Sequence, residues 1–89
     1  MTELPRLNGV IGALEKGLPT FTSFSPADVA SAIAFSSSSY DGIVFELEHN
    51  PWDTRALRDS LQYMLNRRQI ATAGSVAPAV TPMVRIPTN

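Results

Sequence analysis

Three residues carry the chemical interest of this sequence: Glu46, His49 and Arg85. His49 is the only histidine, and it stands beside Glu48 and three positions after Glu46. A carboxylate beside an imidazole fixes its tautomer and raises its basicity, as a general base requires. Arg85 lies within Met83-Val84-Arg85-Ile86, otherwise apolar. Arginine offers a planar, permanently charged fork suited to carboxylates and enolates. An acid–imidazole pair and a guanidinium on one rim would hold an anionic substrate and move one proton. Each residue also has a plainer reading. A lone histidine is commonly a surface or satisfied core residue. Glu46 is solvated if the strand ends at Phe45. Arg85 would protect an edge strand from aggregation.

The elements that must position these residues follow from the pattern. Ile43-Val44-Phe45, after the turn pair Asp41-Gly42, has the composition of a strand buried on both faces. The spacing predicts a strand over 42–47 whose C-terminal end carries Glu46, Glu48 and His49. In parallel α/β sheets active sites lie at that end. Residues 4–17 read as a helix, with Leu4, Leu7, Val10, Ile11 and Leu14 on one stripe, Gly17 as left-handed stop and Pro19 beyond. Gly9 and Gly12 weaken it by about 1 kcal/mol each relative to Ala. Residues 20–24 read as a strand. Ser25 as N-cap, Pro26 at the first helical position and Asp28 two residues later predict a helix over 26–36 buried through Val29, Ala32 and Ile33. Asp53 caps a helix over 54–68 with Leu57, Leu61, Met64 and Leu65 on one face and Arg67 and Arg68 in its last turn. A connection of small residues over 70–82 leads to a strand over 83–86. Helices between successive strands imply an α/β fold with parallel pairing.

Composition narrows the partners. The chain has 89 residues and a formal net charge of −1, room for one small domain. There is no basic excess, so no nucleic acid is expected. Without cysteine there are neither disulfides nor thiolate metal sites. No apolar run approaches the roughly 18 residues of a membrane span, and the N-terminus has no signal-like pattern, so a cytoplasmic chain is expected. No phosphate-loop, dinucleotide, nucleophile-elbow or zinc-protease motif is present.

Tyr40-Asp41-Gly42-Ile43-Val44-Phe45-Glu46-Leu47-Glu48-His49 resembles the tyrosine–aspartate, apolar strand, acid-x-Glu-His signature of the HpcH/HpaI aldolase family, which includes macrophomate synthase-like enzymes. Residues 8–17 are similar to its N-terminal helix and Val84-Arg85-Ile86-Pro87 to its arginine-bearing third strand. The resemblance spans nearly the whole chain. It implies metal-dependent aldolase chemistry on a TIM (β/α)8 barrel: cleavage of a 4-hydroxy-2-oxo acid to a pyruvate-type enolate and an aldehyde. His49 would be the general acid/base, Glu46 its orienting carboxylate, and Arg85 would bind the enolate oxygen of a pyruvate- or oxaloacetate-class substrate. The family carries aspartate where this chain has Glu46. Full-length relatives are expected to be homo-oligomers.

A barrel of this type takes about 250 residues, so these residues supply the first three β/α units. The family's divalent cation, Mg²⁺ or Mn²⁺, is held by Glu and Asp from later strands, so no metal ligand is expected here. The isolated chain is expected to have little or no activity. Two other readings remain: a small non-catalytic module that self-associates, and a citrate-lyase-like carbon–carbon lyase, which would need an acyl-thioester substrate.

Overall fold

The computed structural model describes residues 5–88. Its elements, in chain order, are α1 (Gly9–Glu15), β1 (Thr22–Ser25), α2 (Val29–Ser36), β2 (Gly42–Glu46), α3 (Thr54–Gln62), α4 (Arg67–Ala73) and β3 (Thr81–Arg85). This is an α/β fold: one open sheet of three parallel strands in the order β1-β2-β3, with four helices among the described residues. None of those helices is long and apolar enough to cross a membrane.

Side-chain acceptors set most helix starts, and they correct several expected boundaries. The first helix was expected over 4–17. It begins at Gly9, because Asn8 Oδ1 accepts from the Ile11 amide at 3.0 Å. Leu4 lies outside the described residues. The end of α1 follows expectation: Gly17 takes φ +75°, the Gly17 amide donates to Leu14 O and the Leu18 amide to Ala13 O, the paired bonds of a Schellman stop. The apolar stripe does not bury as its spacing suggested. Leu7, Ile11 and Leu14 are exposed, and α1 has no buried residue.

The second helix starts three residues later than expected. Ser25 is the buried last residue of β1, and its hydroxyl donates to Pro26 O at 2.9 Å. Asp28 is the N-cap instead, accepting the Ser31 amide at 2.7 Å and the Ser31 hydroxyl at 3.0 Å. Two acceptor oxygens on one residue outcompete a single hydroxyl. The buried face of α2 runs through Ala32 and Ser36, whereas Ile33 is exposed.

The helix expected over 54–68 is two helices. Asp53 caps α3 as expected, accepting the Ala56 amide at 2.9 Å. Asn66 then accepts the Gln69 amide at 2.9 Å and starts α4. A local side-chain acceptor has replaced the continuing helical hydrogen bonds. Arg67 and Arg68 therefore open α4 rather than closing a long helix, and part of the expected connection over 70–82 is helical up to Gly74 at φ +65°. The third strand runs Thr81–Arg85, not 83–86. It is an edge strand, which tolerates Pro82 without an amide donor.

The sheet has two unlike faces, because successive side chains along a strand alternate. Ile43 and Phe45 are fully buried with Ala32, Met64 and Val80, and Ala27, Phe35 and Leu57 pack around them. The opposite face carries Gly42, Val44 and Glu46 of β2, in register with Thr22 and Phe24 of β1 and with Thr81, Met83 and Arg85 of β3. The N-terminal end of this second face is closed by α1. The Gly9 amide donates to Thr81 Oγ1 at 3.1 Å. A Cβ on Gly42 would lie 2.7 Å from Met83 Cε, 3.0 Å from Val10 Cγ2 and 3.1 Å from Thr22 Cγ2, so a larger residue there requires the Met83 side chain to move. The C-terminal end of the same face stays open, and Phe24 is 58% exposed.

Candidate functional site

The open end of that face holds the site. Glu46 is the last residue of β2 and Arg85 the last of β3, and their Cα atoms are register partners. Parallel pairing thus brings both side chains to one rim. The Leu47 amide donates to Arg85 O at 2.9 Å and prolongs the pairing by one residue beyond β2. Leu47 itself is buried on the helix side and anchors the turn that carries Glu48 and His49.

Glu46 organises that turn. Its Oε1 accepts the Glu48 amide at 2.6 Å and the His49 amide at 3.2 Å. Its Oε2 lies 3.3 Å from Arg85 Nη1. Burial pushes the Glu46 carboxyl up, but the two amide donors, the Arg85 guanidinium and the nearby imidazole together outweigh it and hold the carboxyl below its usual range. Glu46 is therefore a buried carboxylate with its hydrogen bonds made, not the solvated strand end of the plainer reading.

Glu48 is the second anchor. Its Oε1 accepts from Arg85 Nε at 2.7 Å and is also paired with Arg85 Nη2. The same oxygen lies 3.5 Å from His49 Nε2. The carboxylate nearest the imidazole ring is thus Glu48, whereas Glu46 holds the His49 backbone. Most of the imidazole is open to solvent, with 69% of the side chain exposed.

Arg85 is held on three sides. Glu48 and Glu46 take its edges, and Cζ lies over the Phe24 ring at 5.6 Å from the centroid, within cation–π reach. Around this group is a concavity of about 360 Å³, lined by Phe24, Pro26, Glu46, His49, Asn50 and Arg85. All three residues singled out in the sequence, His49, Glu46 and Arg85, meet there. Sequence reasoning left Glu48 open as a partner of the imidazole and did not see it as the partner of Arg85. It also missed Phe24, Pro26 and Asn50. The signal for Phe24 was its register: it pairs with Val44, one step from Glu46 on the same face.

Glu46, Glu48 and His49 also offer one donor atom each within 4.8 Å of one another, so the trio could hold a metal ion. The Arg85 guanidinium is already paired with both carboxylates, however, and Glu46 Oε1 is committed to two amides. A cation would have to displace Arg85, so this donor set does not fit the role of a resident metal centre.

The arrangement can exchange a proton at an exposed imidazole, beside a guanidinium that would take an oxyanion in exchange for one of its carboxylate partners. Comparison with family models, with curated proteins and with solved structures gives no match to this chain.

Proposed function

We propose that this chain carries the proton-transfer corner of a carbon–carbon lyase that cleaves 4-hydroxy-2-oxo acids, on the first three β/α units of a (β/α)8 barrel. One observation carries the reading. An imidazole and a clamped guanidinium face one concavity at the C-terminal rim of a parallel sheet, on the face that bears Val44 and Met83. In barrels that is the inner face and the catalytic end. The strand order β1-β2-β3 and the closure of the N-terminal end by α1 support the barrel assignment. So does the acid-x-Glu-His sequence at Glu46, Glu48 and His49.

The chemistry follows from the positions. The His49 ring nitrogen turned away from Glu48 takes the proton of the 4-hydroxyl. The C3–C4 bond breaks, the former hydroxyl carbon becomes an aldehyde, and the electron pair passes to the 2-oxo group as an enolate. Arg85 stabilises that enolate oxygen. Returning the proton to C3 yields pyruvate or its homologue. Glu48, nearest the imidazole, orients the ring before substrate docks. The bound divalent cation of such enzymes would supply additional stabilisation of the enolate, and we assign it no ligand in this chain.

The half-reaction that needs only a base and an oxyanion partner is enolisation, read as hydrogen–deuterium exchange at C3 of pyruvate. The chain is expected to accelerate it above buffer, while complete cleavage, followed as pyruvate release with Mg²⁺ or Mn²⁺, stays near background. Exchange at the buffer rate contradicts the reading.

A non-catalytic, self-associating module is the second reading, favoured by the exposure of Phe24 on the same open face. It predicts a monodisperse oligomer with cooperative melting by gel filtration and calorimetry.

A further inference from the structure

The charge at the rim does not favour an anion. Two carboxylates, Glu46 and Glu48, oppose one guanidinium, so the cluster carries a net negative charge whenever His49 is neutral. Glu48 also occupies the edge of Arg85 that binds oxyanions best. Nε and Nη2 form the side of the guanidinium fork, where a carboxylate docks with two parallel hydrogen bonds. Both are directed at Glu48 Oε1. Arg85 Cζ lies over the Phe24 ring at 5.6 Å from its centroid, and Nη1 lies 3.3 Å from Glu46 Oε2.

Glu46 cannot be the group that gives way. It is buried, and its Oε1 holds the Glu48 and His49 amides. Glu48 has no such backbone duty: among the described residues its carboxylate is paired with Arg85 and the His49 ring alone, and it follows β2 rather than lying within it. It is free to swing out while the sheet stays intact.

We infer that Glu48 is an internal competitor for the ligand anion: it fills the binding edge of Arg85 in the resting state and must release it for a carboxylate to dock. This inference rests on the anion-binding role given to Arg85 above. It means that affinity for small 2-oxo acids is set low by the protein itself. It also means that a cation pairing with Glu48 would open the site to an anion.

Oxalate, a planar dianion shaped like a pyruvate enolate, is the probe. Its binding to the 89-residue chain is followed by calorimetry and by the Arg85 Nε–H resonance. Glu48→Gln keeps the side-chain length and removes the charge. It is expected to bind oxalate about fivefold tighter than wild type, the effect of one partly exposed charge pair. Arg85→Gln is expected to abolish binding in both backgrounds. Glu48→Asp, which keeps the charge but shortens the reach, is expected to gain less and serves as the test if Glu48→Gln does not fold. Unchanged or weaker binding in these variants, with binding still dependent on Arg85, overturns the inference and leaves the anion site standing. Wild-type binding that ignores Arg85→Gln overturns the anion site itself.

Discussion

Arg85 donates from Nε to Glu48 Oε1 at 2.7 Å across 37 positions of sequence, joining the end of β3 to the turn that follows β2. This contact and the Glu46–Arg85 pair are side-chain ties across the rim, added to the backbone pairing of β2 with β3. They make the rim a structural clasp as well as a candidate site.

The buried end of that clasp gives stability a defined pH dependence. The Glu46 carboxyl is held below its usual range in the folded chain and returns to that range on unfolding. Its contribution is therefore fully present above the usual glutamate range and is lost as pH falls through the lowered folded value. Denaturation midpoints from neutral to acid pH should show this loss. Glu46→Gln should lower the neutral-pH midpoint and flatten the acid slope.

The metal reading is tested through the same arginine. Arg85 pairs with both carboxylates of the Glu46–Glu48–His49 trio and offsets one of their two charges, so wild type should bind Mn²⁺ weakly. Arg85→Ala leaves those carboxylates uncompensated. Paramagnetic broadening of the Glu46, Glu48 and His49 amides should then appear at lower Mn²⁺ concentration than in wild type.

Packing predictions centre on β2. Phe45→Ala removes a fully buried ring and should cost about 3 to 5 kcal/mol, enough to unfold a domain of this size at ambient temperature. Gly42→Ala adds a methyl that meets Met83, Val10 and Thr22 at 2.7 to 3.1 Å. It should cost about 1 to 3 kcal/mol by calorimetry. Loss of α1 packing would show as sharpened amide signals over Gly9–Glu15.

Helix starts were legible in part. The Asp53 cap and the Gly17 stop could be read from residue type and spacing, because each acts within its own turn. The choice of Asp28 over Ser25 could not, since it depends on Ser25 belonging to β1. Nor could the break at Asn66, because the apolar spacing of Leu57, Leu61 and Met64 continues past the end of α3. Asp28→Ala and Asn66→Ala should each cost about 1 kcal/mol, and Ser25→Ala should leave α2 intact by circular dichroism.

The site divides in the same way. The polar end of β2 was visible as carboxylates and an imidazole directly after Ile43-Val44-Phe45. That Arg85 would reach them needed only parallel pairing in register, which alternating strands and helices imply. Which carboxylate takes which partner was not legible. Glu46 turns its oxygen to two backbone amides, a contact fixed by the loop path rather than by spacing.

The central claim is that His49 and Arg85 form a proton-transfer and oxyanion pair. Deuterium exchange at C3 of pyruvate, followed by proton NMR in D₂O, tests it most directly. The account predicts exchange above the buffer rate that falls to background in both His49→Ala and Arg85→Gln, with both variants folded. Exchange no faster than buffer in wild type, or unchanged in either variant, would contradict it.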